Sequence, residues 1–404
     1  MLDESSLSAL SRERLDWTYR AIPTSAHGYT ISEWLKTAPT FEDLQTPTLT
    51  LGREALQHNI AAMATWCKDA NVALAPHGKT TMAPQLWREQ LDAGAWGITL
   101  ANIAQLRVAR AFGVPRVFLA NEMVSASAVS WLADWIDDGA DVTCLVDSTA
   151  AVEAMAGALG GRDTVIDVCV EVGGAGGRAG VRDVAAAVEV ARAVHTQPRL
   201  RLAGVSGYEG TVAHGTEQDS VRAVDEFLTR LRHAHEAMDY ETDSPLVSAG
   251  GSAYFDQVVE HLGHLSDTSA TVLLRSGCYV IHDDVRYAQS SPSARGRSGP
   301  KLYPALRLAA TVLSVPEPGL AIADIGRRDV GMDSGYPVLV EHPKAHVEDL
   351  NDQHVYIAGD VSALNVGDIV RLGISHPCTT MDKWNLIPVV DRMQRIVDVV
   401  RTFF

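Results

Sequence analysis

Cysteine is scarce in this chain, and its few residues do not fall into pairs. Cys67, Cys144, Cys169, Cys278 and Cys378 are odd in number and widely spaced, with no Cys-x-x-Cys. That pattern argues against a disulfide framework and suits a reducing compartment. Long apolar runs are also missing: none approaches the roughly 18 residues that span a bilayer. Positive charge is in deficit. Lys plus Arg number 34 and Asp plus Glu 50, a net charge of −16. An acidic surface of this kind argues against a nucleic-acid partner or an anionic membrane. The opening residues, "MLDESSLSALSRERLDW", are acidic and carry no apolar core, so no signal peptide is expected. The expectation is a soluble cytoplasmic protein.

What is present is a regular alternation. Eight short apolar, β-branched runs occur at 72–79, 97–101, 116–121, 141–147, 164–172, 202–210, 245–252 and 271–277. Seven segments of helical period lie between them, such as "SVRAVDEFLTRLRHAHEAM" at 220–238, and one more precedes them at 53–67. Strands alternating with helices imply parallel pairing with right-handed crossovers. Eight repeats predict an α/β fold with a (β/α)8 TIM-type barrel over 46–284; an open doubly wound sheet is the alternative. The pattern changes after 284. "DVRYAQSSPSARGRSGPKLYP" reads as an exposed crossing loop. Beyond it, stretches such as "ALRLAATVLSV", "HVYIAGD" and "WNLIPVVD" predict a β-rich C-terminal domain over 301–404. Residues 1–45 are expected to pack with that domain.

The stretch "LAPHGKTTMAP" (74–84) holds the first candidate site. Gly78-Lys79-Thr80 resembles the end of a phosphate-binding P-loop, but that loop needs a glycine at 73, where this chain has Ala73. Pro76 also removes an N–H that would cradle phosphate. Lys79 instead ends the first barrel strand, on the face where barrel active sites assemble. The usual phosphate position of this fold follows strands seven and eight. There the chain has "SAGGSAYFD" (248–256) and "RSGCYV" (275–280), so Gly250, Gly251, Ser252, Gly277 and Tyr279 are candidates for an anion pocket. A lysine facing a phosphate pocket suggests a Schiff base with pyridoxal phosphate.

With these residues in view, the chain resembles the fold-type III pyridoxal-phosphate enzymes with an alanine-racemase N-terminal barrel, in the D-serine dehydratase and D-threonine aldolase branch. The resemblance rests on "PHGKT" (76–80), "GGRAG" (176–180), "GYEG" (207–210), "SAGGS" (248–252), "LRSGCYV" (274–280), "DIGRRDVGMDSGYP" (324–337), "DQH" (352–354) and "SHPC" (375–378). It implies that Lys79 is the Schiff-base lysine. Arg178 would lie near the cofactor's phenolic oxygen or the substrate carboxylate, and Tyr208 would face the pyridine ring. By themselves, Arg178 reads equally as a solvated loop arginine and Tyr208 as a barrel-core aromatic. The resemblance further implies a head-to-tail homodimer with its active site at the interface.

His376 and Cys378 stand two apart in a run that reads as extended, which predicts both side chains on one face of a strand. Imidazole with thiolate suits Zn2+ and leaves positions open. The family's dehydratases carry such a His-x-Cys pair, whereas its aldolases carry Asp at the second position. Asp352 and His354 are expected to orient a ligand there. His77 is read either as supporting the lysine or as simply packed, and the role of His214 is left open. Thr211 stands where the aldolases carry a histidine after "GYEG"; Ala75 and Thr81 are further departures from the family pattern. The implied activity is a zinc- and pyridoxal-phosphate-dependent lyase that removes water and then ammonia from a 3-hydroxy-D-amino acid, with D-serine as type substrate. The alternatives are retro-aldol cleavage as in D-threonine aldolase, and amino-acid racemisation.

Overall fold

The computed structural model of the protein describes residues 2–213 and 215–404; His214 lies outside them. Short helices α1 (Glu4–Leu10) and α2 (Ile31–Leu35) precede strand β1 (Thr48–Gly52) and helix α3 (Arg53–Asp69). Then comes the alternation: β2 (Ala73–Leu74), α4 (Pro84–Asp92), β3 (Ile98–Leu100), α5 (Ile103–Ala111), β4 (Arg116–Glu122) and α6 (Ala126–Asp137). It continues through β5 (Asp141–Val146), α7 (Thr149–Leu159), β6 (Ile166–Val172), α8 (Val184–His195), β7 (Leu200–Gly207), α9 (Gln218–Glu236), β8 (Leu246–Ala249), α10 (Phe255–Leu262) and β9 (Thr271–Leu274). Each of the eight apolar runs carries one strand.

Local chemistry explains why the helices begin where they do. Asn102, Ser148 and Asp183 each accept the N–H three residues on, capping α5, α7 and α8. Pro84 opens α4, where a missing N–H is harmless. Helix α9 buries Val224, Phe227, Leu228, Leu231 and Ala234, a stripe at three- and four-residue spacing that lays it on the sheet.

The eight strands form one parallel sheet in the order β2-β9-β8-β7-β6-β5-β4-β3. The seam between β2 and β3 is also bonded: the Trp96 N–H donates to the Leu74 carbonyl at 2.8 Å, and the Thr99 N–H to Pro76 at 2.9 Å. The sheet therefore closes as a barrel, which removes the open-sheet alternative. Its lower interior is apolar, filled by Phe118, Leu145, Cys169, Leu246 and Leu273. The polar residues Ser206, Ser248 and Arg275 are buried above them.

The chain then forms α11 (Arg286–Ser290), β10 (Leu306–Glu317), β11 (Leu320–Ala323), β12 (Val338–Leu339), β13 (Ala345–Leu350), β14 (Val355–Gly359), β15 (Ile369–Gly373), α12 (Cys378–Met381), β16 (Leu386–Val390) and β17 (Ile396–Arg401). The sheet order is β13-β14-β11-β10-β1-β16-β17, with β15 on β10 and β12 on β15. Strands β11, β13 and β17 were not anticipated from the sequence. One boundary also moves. Strand β1 lies inside the segment assigned to the barrel, yet it pairs antiparallel with β10 and parallel with β16. Such a partner lies more than 250 residues away, beyond the reach of a local pattern. Leu15, Ile22, Ile31 and Trp34 share an apolar cluster with Leu386, Ile396 and Val399.

The segment expected to be an exposed loop is tied down. It contains α11, and Arg295 forms an ion pair with Asp256 at 2.6 Å, with side chains only 6% and 5% exposed. Composition reports solubility and misses a distant carboxylate. No helix among the described residues is long and apolar enough to cross a membrane.

Candidate active site

A cavity of about 240 Å³ opens where the C-terminal ends of the barrel strands meet the β domain. The chain is strongly acidic, yet Lys79, Arg178, Arg275 and Arg286 line this cavity and no carboxylate does among the described residues. The local potential thus opposes that of the surface and suits an anionic ligand.

Lys79 sits on a single 3-10 turn, Gly78–Thr80, directly after β2. No hydrogen bond to its amine is found among the described residues. Burial lowers its pKa; the Cys378 thiolate opposes this, and Arg178 and Arg275 add to it. A depressed pKa raises the share of neutral amine, the form that attacks a carbonyl. His77 precedes it and also lines the cavity. Its Nδ1 lies 3.1 Å from the Thr99 carbonyl. Burial and the charges of Lys79 and Arg275 hold its pKa well below the usual range, so the ring stays neutral.

Gly250, Gly251, Ser252 and Gly277 all reach the cavity wall, but they do not act alike. The Glu209 carboxylate accepts the Gly250 N–H at 3.0 Å and the Gly251 N–H at 2.6 Å. Those two N–H groups are therefore engaged by Glu209, although both glycines line the cavity. The N–H groups of Ser252 and Gly277 have no partner among the described residues and remain available. A Cβ at Gly277 would stand 2.6 Å from the His77 carbonyl and 2.7 Å from Thr80 Oγ1. Tyr279 is placed elsewhere. Its hydroxyl accepts from Gln90 Nε2 at 2.9 Å, in a separate cavity beside Ile60 and Cys67 on α3. The tight turn at 278–280 swings residue 279 away from the wall that Gly277 forms.

The Arg178 guanidinium lies 5.2 Å from the Tyr208 ring centre, a cation–π spacing, and both residues line the cavity. Burial, helped by Glu209, pushes the Tyr208 hydroxyl up to about 12, so it acts as a hydrogen-bond donor.

Arg275 was missed in the sequence, where "RSG" drew notice only for its glycine. It forms the cavity floor. Its Nη1 donates to Ser206 Oγ at 3.0 Å and to Ser248 Oγ, and its Nη2 to the Gly207 carbonyl at 2.8 Å. A buried guanidinium held by two strands and a carbonyl is a fixed cation. Near it, Glu171 is pushed up to about 8, first by burial and then by its hydrogen bond to Glu122 and that neighbour's charge. Carboxyl groups so close favour sharing one proton.

The third feature is a sulfur–nitrogen group. The donor atoms of Cys278, His376 and Cys378 lie within 4.8 Å of one another. His376 and Cys378 are not on a strand, contrary to expectation. Pro377 caps α12, which begins at Cys378, so a helical turn brings the two side chains together. Cys378 Sγ lies 3.6 Å from Cys278 Sγ and 3.4 Å from Thr80 Oγ1. The hydrogen bond from Cys278 lowers the Cys378 pKa well below the ordinary thiol value despite burial, and His376 reinforces this. Cys278 is raised correspondingly. The pair thus keeps its proton on Cys278 and its charge on Cys378. Burial works against charge on His376, but Cys378 and Asp333 outweigh it and raise its pKa. The His376 Nδ1 lies 2.6 Å from Asp333 Oδ2. Asp352 does not orient this group: it faces Arg328 at 3.5 Å and lines a different cavity, near Trp384. His354 is joined through its carbonyl to Asn351.

Comparison with known proteins agrees with this architecture. Residues 52–266 match the alanine racemase N-terminal domain family, and residues 305–390 match the putative serine dehydratase domain. The first match alone spans more than half of the chain, so the protein belongs to the alanine racemase N-terminal domain family. A 3-hydroxy-D-aspartate aldolase of Paracoccus denitrificans (strain Pd 1222) is 26% identical over 372 residues, 89% of this chain and 93% of that protein. A D-threo-3-hydroxyaspartate dehydratase of Delftia sp. (strain HT23) is 27% identical over 306 residues, 72% of this chain and 74% of that protein. The crystal structure of a D-threonine aldolase from Filomicrobium marinum superposes with a TM-score of 0.78 at 26% identity, covering 90% of this chain and 97% of that one. These relatives are lyases.

The residues present fit the cofactor of the family. A neutral-prone amine, two unpaired N–H groups and a ring of cations match an aldehyde bearing a phosphate. The sulfur–nitrogen group fits a divalent metal by its donor chemistry.

Proposed function

We propose that the protein is a pyridoxal-phosphate- and zinc-dependent lyase that removes water and then ammonia from a 3-hydroxy-D-amino acid, with D-serine as type substrate. One observation carries the reading: a single cavity is lined by both the Lys79 amine and the His376–Cys378 pair. Pyridoxal phosphate, when bound, supplies the electron sink that makes the proton on the substrate Cα removable. Lys79 would hold the cofactor and, once displaced by the substrate amine, take that proton. Ser252 and Gly277 would donate to the phosphate, and Tyr208 would lie against the ring. Gly250 and Gly251 shape the same wall, braced by Glu209. Arg178 and Arg286 offer guanidinium groups to the substrate carboxylate. Zinc held by His376 and Cys378 would supply Lewis acidity toward the β-hydroxyl, a poor leaving group. For D-serine the products are pyruvate and ammonia.

A second reading keeps the site but cleaves Cα–Cβ to glycine and an aldehyde. It is favoured by the aldolases among the relatives and by His77, whose neutral ring is a candidate base. Cysteine rather than aspartate at 378 favours elimination. The test is product analysis. The protein, loaded with cofactor and zinc, is given D-serine, D-threonine or 3-hydroxy-D-aspartate, with L-isomers as controls. Oxo acid and ammonia from a D-isomer support elimination. Glycine and aldehyde transfer the protein to the second reading, and absence of both product pairs overturns both.

The same proposal includes a cytoplasmic homodimer with its active site at the interface. Its support is the family membership and five free thiols. A monomer in sedimentation of the loaded protein would remove the dimer.

A further inference from the structure

We infer that Cys278 is a third protein ligand beside His376 and Cys378, so that barrel and β domain of one chain close a two-sulfur, one-imidazole site for a thiophilic divalent cation of the zinc class. This rests on the reading above only in taking the His376–Cys378 pair to hold a metal.

The sulfur spacing is the first argument. Two sulfurs each about 2.3 Å from one ion, at a tetrahedral angle, stand roughly 3.8 Å apart. The observed separation is 3.6 Å, between residues 100 apart in the chain. A covalent disulfide would bring the sulfurs to about 2.05 Å. The second argument is fixation. Cys278 is 5% exposed, and its N–H donates to Ser252 Oγ at 3.1 Å, so the turn after β9 sets the direction of its side chain. Cys67, Cys144 and Cys169 are packed into apolar clusters instead. The third is the imidazole. With Nδ1 against Asp333, His376 has Nε2 left for an ion, the usual carboxylate–histidine–metal order.

With the Cys278 proton released to solvent as the ion binds, two thiolates and an imidazole select zinc-class ions over magnesium or calcium, which prefer oxygen. Three protein ligands also leave one tetrahedral position open, the mark of a catalytic rather than a structural site. All three residues line the cavity that holds Lys79, so the open position falls to substrate or water. Binding would also clamp the barrel to the β domain, because the ligands come from both.

The test uses the cofactor-loaded protein, stripped with a chelator and titrated with zinc alone or cobalt alone. X-ray absorption at the zinc edge counts the sulfur neighbours in the unaltered protein. Two sulfurs are expected, and one overturns the inference. Cys278→Ser should weaken zinc binding by on the order of tenfold or more, since loss of mere outer partners already does so. It should also reduce the thiolate-to-cobalt absorption by about half, whereas Cys169→Ser should change neither. Cys278→Ser with unchanged affinity and absorption overturns the inference. If the unaltered protein binds no zinc, or binds it equally well after His376→Ala, the metal reading itself fails, which is a distinguishable result.

Discussion

The Glu209 carboxylate meets the Gly251 N–H at 2.6 Å, and its other oxygen takes the Gly250 N–H. Glu209 is fully buried, so both its oxygens serve inside the protein to position one loop. Glu209→Ala leaves the buried Gly250 N–H and the half-buried Gly251 N–H unpaired, at about 1–3 kcal/mol for each donor kept from water. The expected outcome is a loss of at most about 6 kcal/mol in urea unfolding and weaker cofactor binding. Unchanged stability would mean that the loop holds its shape without the carboxylate.

Lys79 and Gly277 should separate chemistry from shape. Lys79→Ala is expected to abolish the absorbance of lysine-linked cofactor and all turnover, while a competitive phosphate ligand still binds. Gly277→Ala should keep the lysine but push the His77–Thr80 turn aside, because its Cβ would stand 2.6 Å from the His77 carbonyl. We expect cofactor affinity to fall by on the order of tenfold, about 1.4 kcal/mol. Spectral titration with pyridoxal phosphate reads both variants, and wild-type affinity in the glycine variant would refute the close approach.

Asp333 acts through His376. Asp333→Asn removes the carboxylate 2.6 Å from Nδ1, and zinc affinity should fall roughly 10–100-fold. The cofactor's absorbance should stay as it was, because Asp333 does not line the Lys79 cavity. Equal loss of cofactor and metal would point instead to general damage to the β domain.

Asp283 should make stability depend on pH. Its Oδ1 accepts the N–H groups of Val285 and Tyr287 at 2.9 Å, while its Oδ2 is buried without a partner. Burial pushes its pKa up from 3.8 to about 7. Folding therefore favours the protonated acid: the benefit is complete below about pH 4 and lost as pH rises through about 7. A gap of that size corresponds to at most about 4 kcal/mol. Asp283→Asn cannot ionise, so the variant should gain on wild type between pH 5 and pH 8 in urea unfolding. An equal difference at both pH values would exclude the titration.

The eight barrel strands were legible because a parallel strand buried on both faces writes its signature locally, as a short apolar run followed by a capped helix. Lys79 was legible for the same reason, since it directly ends such a run. The pair at His376 and Cys378 was visible as residue types, but its geometry was not: Pro377 turns the chain into a helix where alternation suggested a strand. Gly250 and Gly251 looked like free donors because nothing nearby in sequence announces that Glu209, 41 residues earlier, bonds to both. Tyr279 looked like a wall residue because a tight turn reverses direction within two positions.

The sequence by itself determined the alternation, the lysine, the glycine-rich loops and the shortage of paired cysteines, all carried by short-range periodicity and residue chemistry. Only the tertiary structure decided that β1 joins the C-terminal sheet, that Arg275 is the floor of the site, and that Cys278 meets Cys378. These depend on closing the barrel and docking the β domain onto its mouth. Contacts between segments so far apart in the chain leave no periodic trace in either one.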